Sequence, residues 1–171
     1  LGNGYTVSAT VVHRETDDLL TRRITNLFDV PPGDPNFGRT TDGGQRLNTV
    51  TYEGFIDYDG VVVAIRRPLR NRFGFMASYT YSDSEDNLLT GNVGSTFSDN
   101  NDPSKDIGEA NLSVPNVFVG NVTTVLPLDF RISAIAFYRD GSAFSPRGIV
   151  DSDGDGLVDQ RDLAFPRNSF R

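Results

Sequence analysis

The stretch "FGFMASYTYS" (73–82) decides the fold, because apolar and small polar residues alternate along it. One set of alternate positions is apolar or aromatic, namely Phe73, Phe75, Ala77, Tyr79 and Tyr81. The other set is mostly small or polar, namely Gly74, Met76, Ser78, Thr80 and Ser82. Successive side chains of a β-strand point to opposite faces, so this period of two predicts a strand with one apolar stripe.

Four other stretches have the same period and are also rich in β-branched and aromatic residues. They are "GYTVSATVV" (4–12), "YDGVVVAIRR" (58–67), "NVFVGNVTTVL" (116–126) and "FRISAIAFYR" (130–139). A weaker strand is predicted within 46–56, and no stretch has a convincing helical pattern. The sequence therefore predicts an all-β chain, arranged as an antiparallel meander of hairpins.

The predicted connections alternate strictly between short and long. Two are short and contain proline, 68–72 and 127–129, and we predict a hairpin turn at each. Three are long and polar, 14–57, 83–115 and 140 to the end. Short turns that alternate with long loops are typical of an outer-membrane β-barrel, and strands of about ten residues cross a bilayer when tilted. An ordinary antiparallel sandwich also has alternating strands, so the pattern alone leaves both architectures open.

Aromatic residues mark the long-loop ends of two predicted strands. They are Tyr79, Tyr81, Phe137 and Tyr138, and they occupy the level at which a barrel carries an aromatic girdle. In "RRPLRNR" (66–72) the basic residues lie at the opposite end, where they either bind anionic lipid headgroups or keep the turn in water.

Composition narrows the functional classes. The net charge is −7 over 171 residues, which argues against a nucleic-acid partner. The chain has no Cys, so disulfides and thiolate metal sites are excluded, and with one His we expect no zinc site. His13 belongs to no catalytic motif, and we expect a non-enzyme. We treat 1–171 as a single β-domain, and its start at Leu1 leads us to expect a piece of something longer.

Two long phrases resemble the TonB-dependent outer-membrane receptors, in particular the Oar-like subgroup with a carboxypeptidase-regulatory-like domain. They are "YDGVVVAIRRPLRNRFGFMASYTYSDSEDN" (58–87) and "NVFVGNVTTVLPLDFRISAIAFYRDGSAFSP" (116–146). Residues 1–28, 34–40 and 151–171 resemble the neighbouring segments of these receptors in the same order. The resemblance therefore covers nearly the whole chain, and it implies a transport role at the bacterial outer membrane.

The resemblance also implies about 22 strands, an internal plug and a TonB box. Here five strong strands are present, and no segment resembles a plug or a TonB box. We therefore expect open strand edges that pair with the remainder of a barrel or with copies of this chain, and contact with outer-membrane lipid. The alternative is a secreted structural protein at the cell surface that self-assembles through these edges, for example into a fibre.

The stretch "DSDGDGLVDQRD" (151–162) has the spacing of an EF-hand calcium loop and resembles a dockerin repeat. Carboxylates fall at loop positions 1, 3, 5, 9 and 12, a backbone carbonyl at 7 and glycine at 6. The predicted Ca²⁺ ligands are therefore Asp151, Asp153, Asp155, Asp159 and Asp162, with the carbonyl of Leu157. The opposing interpretation is a solvated acidic loop with no bound ion.

Overall fold

The structure is a computed structural model that describes residues 4–89, 91, 94–149, 151, 154–156 and 161–171. Its regular structure is six β-strands and two short 3₁₀ turns, Pro103–Asp106 and Pro127–Asp129. The strands are β1 (Thr6–Ile24), β2 (Asn48–Arg70), β3 (Phe73–Asp86), β4 (Gly108–Glu109), β5 (Asn116–Val125) and β6 (Arg131–Arg139). The predicted all-β fold is confirmed. The described residues include no helix of the length and hydropathy needed to cross a membrane.

The strands pair in the order β1-β2-β3-β5-β6, and the two-residue β4 pairs with β3 beside β5. The pairing of β3 with β5, and of β5 with β6, is antiparallel. Strands that are neighbours in sequence are thus neighbours in the sheet, apart from β4, which confirms the predicted meander. The path ends at β1 and β6.

Both predicted hairpin turns are present. The turn between β2 and β3 consists of Asn71 and Arg72, whose φ angles are +47° and +70°. Two successive positive φ angles define the type I′ geometry, which matches the twist of antiparallel strands. The turn between β5 and β6 also uses two positive φ angles, at Leu128 and Asp129. Arg72 links the two turns, because its Nη1 donates a hydrogen bond to the Leu126 carbonyl at 2.8 Å.

Three strands are longer than the sequence predicts. β1 continues to Ile24 and β2 begins at Asn48, so the predicted 14–57 connection is wrong and the weak strand at 46–56 is the start of β2. Polar cross-strand pairs hold this extension, for example Thr21 with Thr51 at 2.8 Å and Arg23 with Glu53 at 2.9 Å. β3 likewise continues to Asp86. Residues that are polar on both faces give no period-two hydrophobic signal, which is why the extensions were missed.

The chain divides into two compact units. The sheet unit comprises Leu1–Arg14, Tyr58–Asp83 and Val114–Gly141. The loop unit comprises Glu15–Asp57, Ser84–Ser113 and Ser142–Arg171. All the buried hydrophobic residues among those described belong to the loop unit: Leu27, Leu88, Phe97, Ala110 and Ala143. The described part of the sheet unit therefore has no buried hydrophobic side chain, and its apolar residues lie on its surface.

Candidate functional site

The sheet unit has one continuous apolar face, which extends the predicted stripe of β3 across β5 and β6. Directly opposed residues of neighbouring strands point to the same face of a sheet. The rows on this face are Phe73–Thr124–Ile132, Phe75–Val122–Ala134, Ala77–Gly120–Ala136 and Tyr79–Phe118–Tyr138. We call this surface the apolar face.

The third row of the apolar face, Ala77–Gly120–Ala136, is made of small residues, and it forms the floor of a shallow groove. The volume of the groove is about 390 Å³, and its lining includes Phe75, Ala77, Gly120 and Ala136. The Phe118 ring lies over Gly120, because a Cβ at residue 120 would lie 3.1 Å from Phe118 Cζ. The bare backbone of Gly120 is thus covered by an aromatic ring of its own strand, an arrangement that stabilises glycine within a sheet.

Hydrogen bonds fix the aromatic row at the long-loop end of the apolar face. The Tyr79 hydroxyl donates to Asn116 Oδ1, and Asn116 Nδ2 donates to Asp140 Oδ2 at 2.6 Å. The Tyr138 hydroxyl donates to Asp140 Oδ1 at 2.7 Å. Hydrogen bonds from Asn116 and Tyr138 to the Asp140 carboxylate lower its pKa below the usual value. The rings therefore have an apolar body on the sheet and a polar end toward the loops, as in an aromatic girdle.

One residue predicted for the girdle is placed differently. Phe137 is opposite Val119, which is opposite Ser78, so it lies on the face opposite to that of Tyr138. Adjacent residues of one strand cannot share a face, and Phe118 of β5 takes the place in the row. The opposite face mixes polar and apolar side chains; on it the hydroxyls of Thr123 and Ser133 lie 3.0 Å apart.

Two buried ion pairs hold the loop unit together. Arg167 Nη1 lies 2.5 Å from Asp86 Oδ1, and Arg161 Nε lies 3.2 Å from Asp106 Oδ1. Each guanidinium also donates to backbone carbonyls, for example Arg167 to Leu88 and Arg161 to Lys105. The remaining oxygen of Asp106 accepts the N–H of Ser98 at 2.6 Å. The C-terminal segment is thereby anchored to the end of β3 and to the connection that follows it.

A more exposed ion pair lies beside this network. The Lys105 ammonium donates to Asp99 at 2.5 Å, and this hydrogen bond raises the pKa of Lys105. Sequence reasoning missed the buried network altogether. The acidic partners of Arg161 and Arg167 lie 55 and 81 residues away along the chain, and no local pattern joins them.

The structure describes part of the predicted calcium loop. Asp153, Leu157 and Asp159 lie outside the described residues. The Asp151 carboxylate accepts the N–H groups of Gly154 at 2.7 Å and Gly156 at 2.9 Å. Asp162 Oδ1 accepts the N–H of Ala164 at 2.9 Å. The predicted ligands at loop positions 1 and 12 therefore each cap a backbone turn.

Asp155, at loop position 5, is buried, and its Oδ2 accepts a hydrogen bond from Asn100 Nδ2 at 3.1 Å. Arg46 is a neighbour that the sequence did not predict; it donates to the carbonyls of Gly154 at 2.8 Å and Asp155 at 2.6 Å. Among the described residues, which omit three of the predicted ligands, no group of three or more acidic or histidine side chains is arranged to hold a metal ion.

The chain matches the model of a known protein family. Residues 1–162 match the family model described as an outer membrane beta barrel domain. The matched segment includes all six strands and ends at Asp162, the last position of the predicted calcium loop. A search of curated proteins and a search of solved structures returned no match. The family match thus covers 162 of the 171 residues.

Proposed function

The chain belongs to the outer membrane β-barrel domain family, which places it in the bacterial outer membrane, and from this premise we propose that it forms part of the wall and outer loops of a TonB-dependent-receptor-like transporter. In this proposal the apolar face contacts lipid, the long connections lie at the cell surface and the short turns lie on the periplasmic side. The role is transport and not catalysis.

The exposed apolar face is the observation that carries the proposal. Its side chains include Phe73, Tyr79, Phe118 and Ile132, each at least about a third exposed. Apolar surface left in water forgoes about 25 cal/mol for each Å², and contiguous patches of this kind mark interaction or membrane surfaces. Lipid acyl chains would cover this face without any further protein.

The open edges of the sheet support the proposal that the chain forms part of a barrel wall. β1 and β6 end the strand order, and all nine residues of β6 are exposed. An unpaired strand edge leaves a row of N–H and C=O groups without partners, a serious cost within a membrane. We propose that these edges pair with further strands of the same protein, or with copies of this chain, to close a barrel.

The TonB-dependent part of the proposal rests on the ordered resemblance of 58–87 and 116–146 to such receptors. The buried ion pairs Arg167–Asp86 and Arg161–Asp106 are consistent with it, because they keep long surface loops ordered for ligand capture. Loss of energy-dependent ligand uptake in cells that lack TonB, with the protein still present in the outer membrane, would test this part.

We further propose that the loop 151–162 binds Ca²⁺ through Asp151, Asp153, Asp155, Asp159, Asp162 and the Leu157 carbonyl. Five carboxylates in twelve residues repel one another, and a divalent cation offsets that repulsion. Each carboxylate oxygen has two lone pairs, so Asp151 is able to accept backbone N–H groups and still face an ion. Arg46 supplies some positive charge, but it donates to carbonyls rather than to the carboxylates.

Labelling with single cysteines tests the barrel-wall proposal, since the native chain has no Cys. Ala77→Cys and Ala136→Cys place a fluorophore on the apolar face, and Thr123→Cys places it on the opposite face. In vesicles that contain brominated lipids, the first two labels should be strongly quenched and the third weakly quenched. Equal quenching at all three sites, or a protein that stays soluble without detergent, would favour the secreted, self-assembling alternative.

A further inference from the structure

A cluster of arginine and aromatic side chains lies at the short-turn end of the sheet unit. The Arg67 guanidinium carbon is 5.4 Å from the ring centroid of Tyr5 and 5.3 Å from that of Phe73. The cation is therefore within the range of a cation–π interaction with both rings. Phe75 extends the aromatic surface, with its centroid 6.2 Å from Tyr5 and 5.9 Å from Phe73.

A second arginine, Arg70, lies against the residue that precedes Tyr5. A Cβ at Gly4 would lie 3.3 Å from Arg70 Nη1 and 3.6 Å from Arg70 Cδ, so the Arg70 side chain covers Gly4. Gly4 and Tyr5 are consecutive, and the two guanidinium groups thus lie over neighbouring residues. Gly4 has a φ of +77°, a conformation that favours glycine and brings the backbone close to Arg70.

The charge of this cluster is not balanced within the described part of the chain. No ion pair joins Arg66, Arg67 or Arg70 to an acidic residue that the structure describes, and Arg67 Nε is buried without a hydrogen-bond partner there. Arg72, two residues further on, differs because it lies 3.4 Å from Asp129. A guanidinium that is partly withdrawn from water and has no acidic partner is costly, and a bound anion would offset that cost.

The position of the cluster indicates the source of the anion. Phe73 and Phe75 begin the apolar face, and Tyr79 lies six residues along β3 in its aromatic row, about 20 Å at about 3.4 Å per residue. The cluster therefore lies at one border of the apolar face and the aromatic row at the other. If the short turns are periplasmic, as the proposed function requires, this border is at the headgroups of the inner leaflet.

We propose that Arg67 and Arg70 bind the phosphate of an anionic glycerophospholipid, such as phosphatidylglycerol, in the inner leaflet of the outer membrane. Guanidinium groups present paired N–H donors that match phosphate oxygens, and stacking on Tyr5 and Phe73 orients those of Arg67 before the lipid arrives. The acyl chains of the same lipid would lie on Phe73, Phe75 and the groove beyond them. This inference rests on the proposed function, because it requires the apolar face to contact lipid.

The test uses the intact protein in nanodiscs with equal amounts of phosphatidylglycerol and phosphatidylcholine. Native mass spectrometry then measures which phospholipid stays bound after release. We expect the native protein to retain phosphatidylglycerol preferentially, and Arg67→Gln or Arg70→Gln to reduce that preference about tenfold, the effect of losing one charge-assisted contact. Arg67→Lys keeps the charge but not the paired donors, and should give an intermediate value.

Arg139→Gln is the matched control, because it removes one positive charge at the long-loop end of the sheet, away from the cluster. Unchanged preference in Arg67→Gln and Arg70→Gln, or an equal loss in Arg139→Gln, would overturn the proposal. Competition by millimolar inorganic phosphate as effective as that by lipid would also overturn it, since the site would then bind free phosphate. Quenching of the Ala77→Cys label by brominated lipid, measured in parallel, reports membrane insertion separately. A protein that inserts without a phosphatidylglycerol preference refutes this inference alone, and one that does not insert refutes the proposed function.

Discussion

Arg167 and Asp86 form an ion pair inside the loop unit in which the two side chains are 1% and 4% exposed. The pair joins the C-terminal segment to the end of β3 across 81 residues of sequence. Arg167 also donates to the carbonyls of Leu88 and Asp106, each at 2.9 Å, so one side chain connects three parts of the unit.

Removing this guanidinium should loosen the loop unit. Arg167→Ala leaves the Asp86 carboxylate buried without its partner, which typically costs about 3–5 kcal/mol. We expect faster limited proteolysis of the connections 87–115 and 140–171, measured on the protein in detergent micelles. Arg23→Ala removes the more exposed pair with Glu53 and should cost about 1 kcal/mol or less. Equal protease resistance of the native and Arg167→Ala proteins would show that the pair does not hold the loops.

Calcium binding should depend on the charge of Asp151 more than on its hydrogen bonds. Asp151→Asn keeps one side-chain oxygen, which can accept the N–H of Gly156, and it removes the negative charge together with the acceptor of the Gly154 N–H. Calorimetric titration of the calcium-stripped protein should give heat for the native chain at millimolar Ca²⁺ and much weaker binding for the variant. Asp83→Asn, outside the loop, is the control. If the native protein gives no heat, the loop does not bind Ca²⁺ and is a solvated acidic loop.

The ring of Phe118 makes residue 120 sensitive to a single methyl group. Gly120→Ala places a Cβ 3.1 Å from Phe118 Cζ, so the ring must shift by a few tenths of an ångström, and we expect a loss of about 1 kcal/mol of unfolding free energy. Gly141→Ala meets no atom within 4 Å and should be nearly neutral. Combining Gly120→Ala with Phe118→Leu should recover part of the loss in urea unfolding measurements. Full additivity of the two substitutions would contradict the contact.

Low pH should weaken the hydrogen bonds that Asn116 and Tyr138 donate to the Asp140 carboxylate. Hydrogen bonds from Asn116 and Tyr138 lower the pKa of Asp140 in the folded protein, so their stabilisation is present above the unfolded pKa of about 3.9 and is lost as pH falls through the lower folded value. Tyrosine fluorescence, followed from about pH 5 downward, should change over that window. Asp140→Asn should abolish this change, because its side chain does not titrate there. If Asp140→Asn shows the same fluorescence change at low pH, the change is caused by a group other than Asp140.

The sequence predicts those parts of the fold that depend on the alternation of apolar residues along a strand and on the residue types in the turns. The stripe from Phe73 to Tyr81 gave the apolar face, because alternation along one strand is a local property. The polar extensions of β1 and β2 could not be found in this way, because pairs such as Arg23 with Glu53 become visible only once the strands are aligned. Arg161 and Arg167 were missed for the same reason. The whole Ca²⁺ ligand set at 151–162 remains a prediction, and three of its members, Asp153, Leu157 and Asp159, lie outside the described residues.

The sheet unit has no buried hydrophobic side chain among its described residues, and this has an evolutionary consequence. If the apolar face contacts fluid acyl chains, as proposed, a position on it needs only to be apolar, so exchanges among Val, Ile and Leu at Val122 or Ile132 should accumulate freely in descendants. The buried ion pairs Arg167–Asp86 and Arg161–Asp106 are different, because each residue depends on one partner. A change at one residue of a pair therefore requires a matching change at its partner. The sequence of the sheet should therefore drift quickly while its period persists, and the loop ion pairs should change slowly.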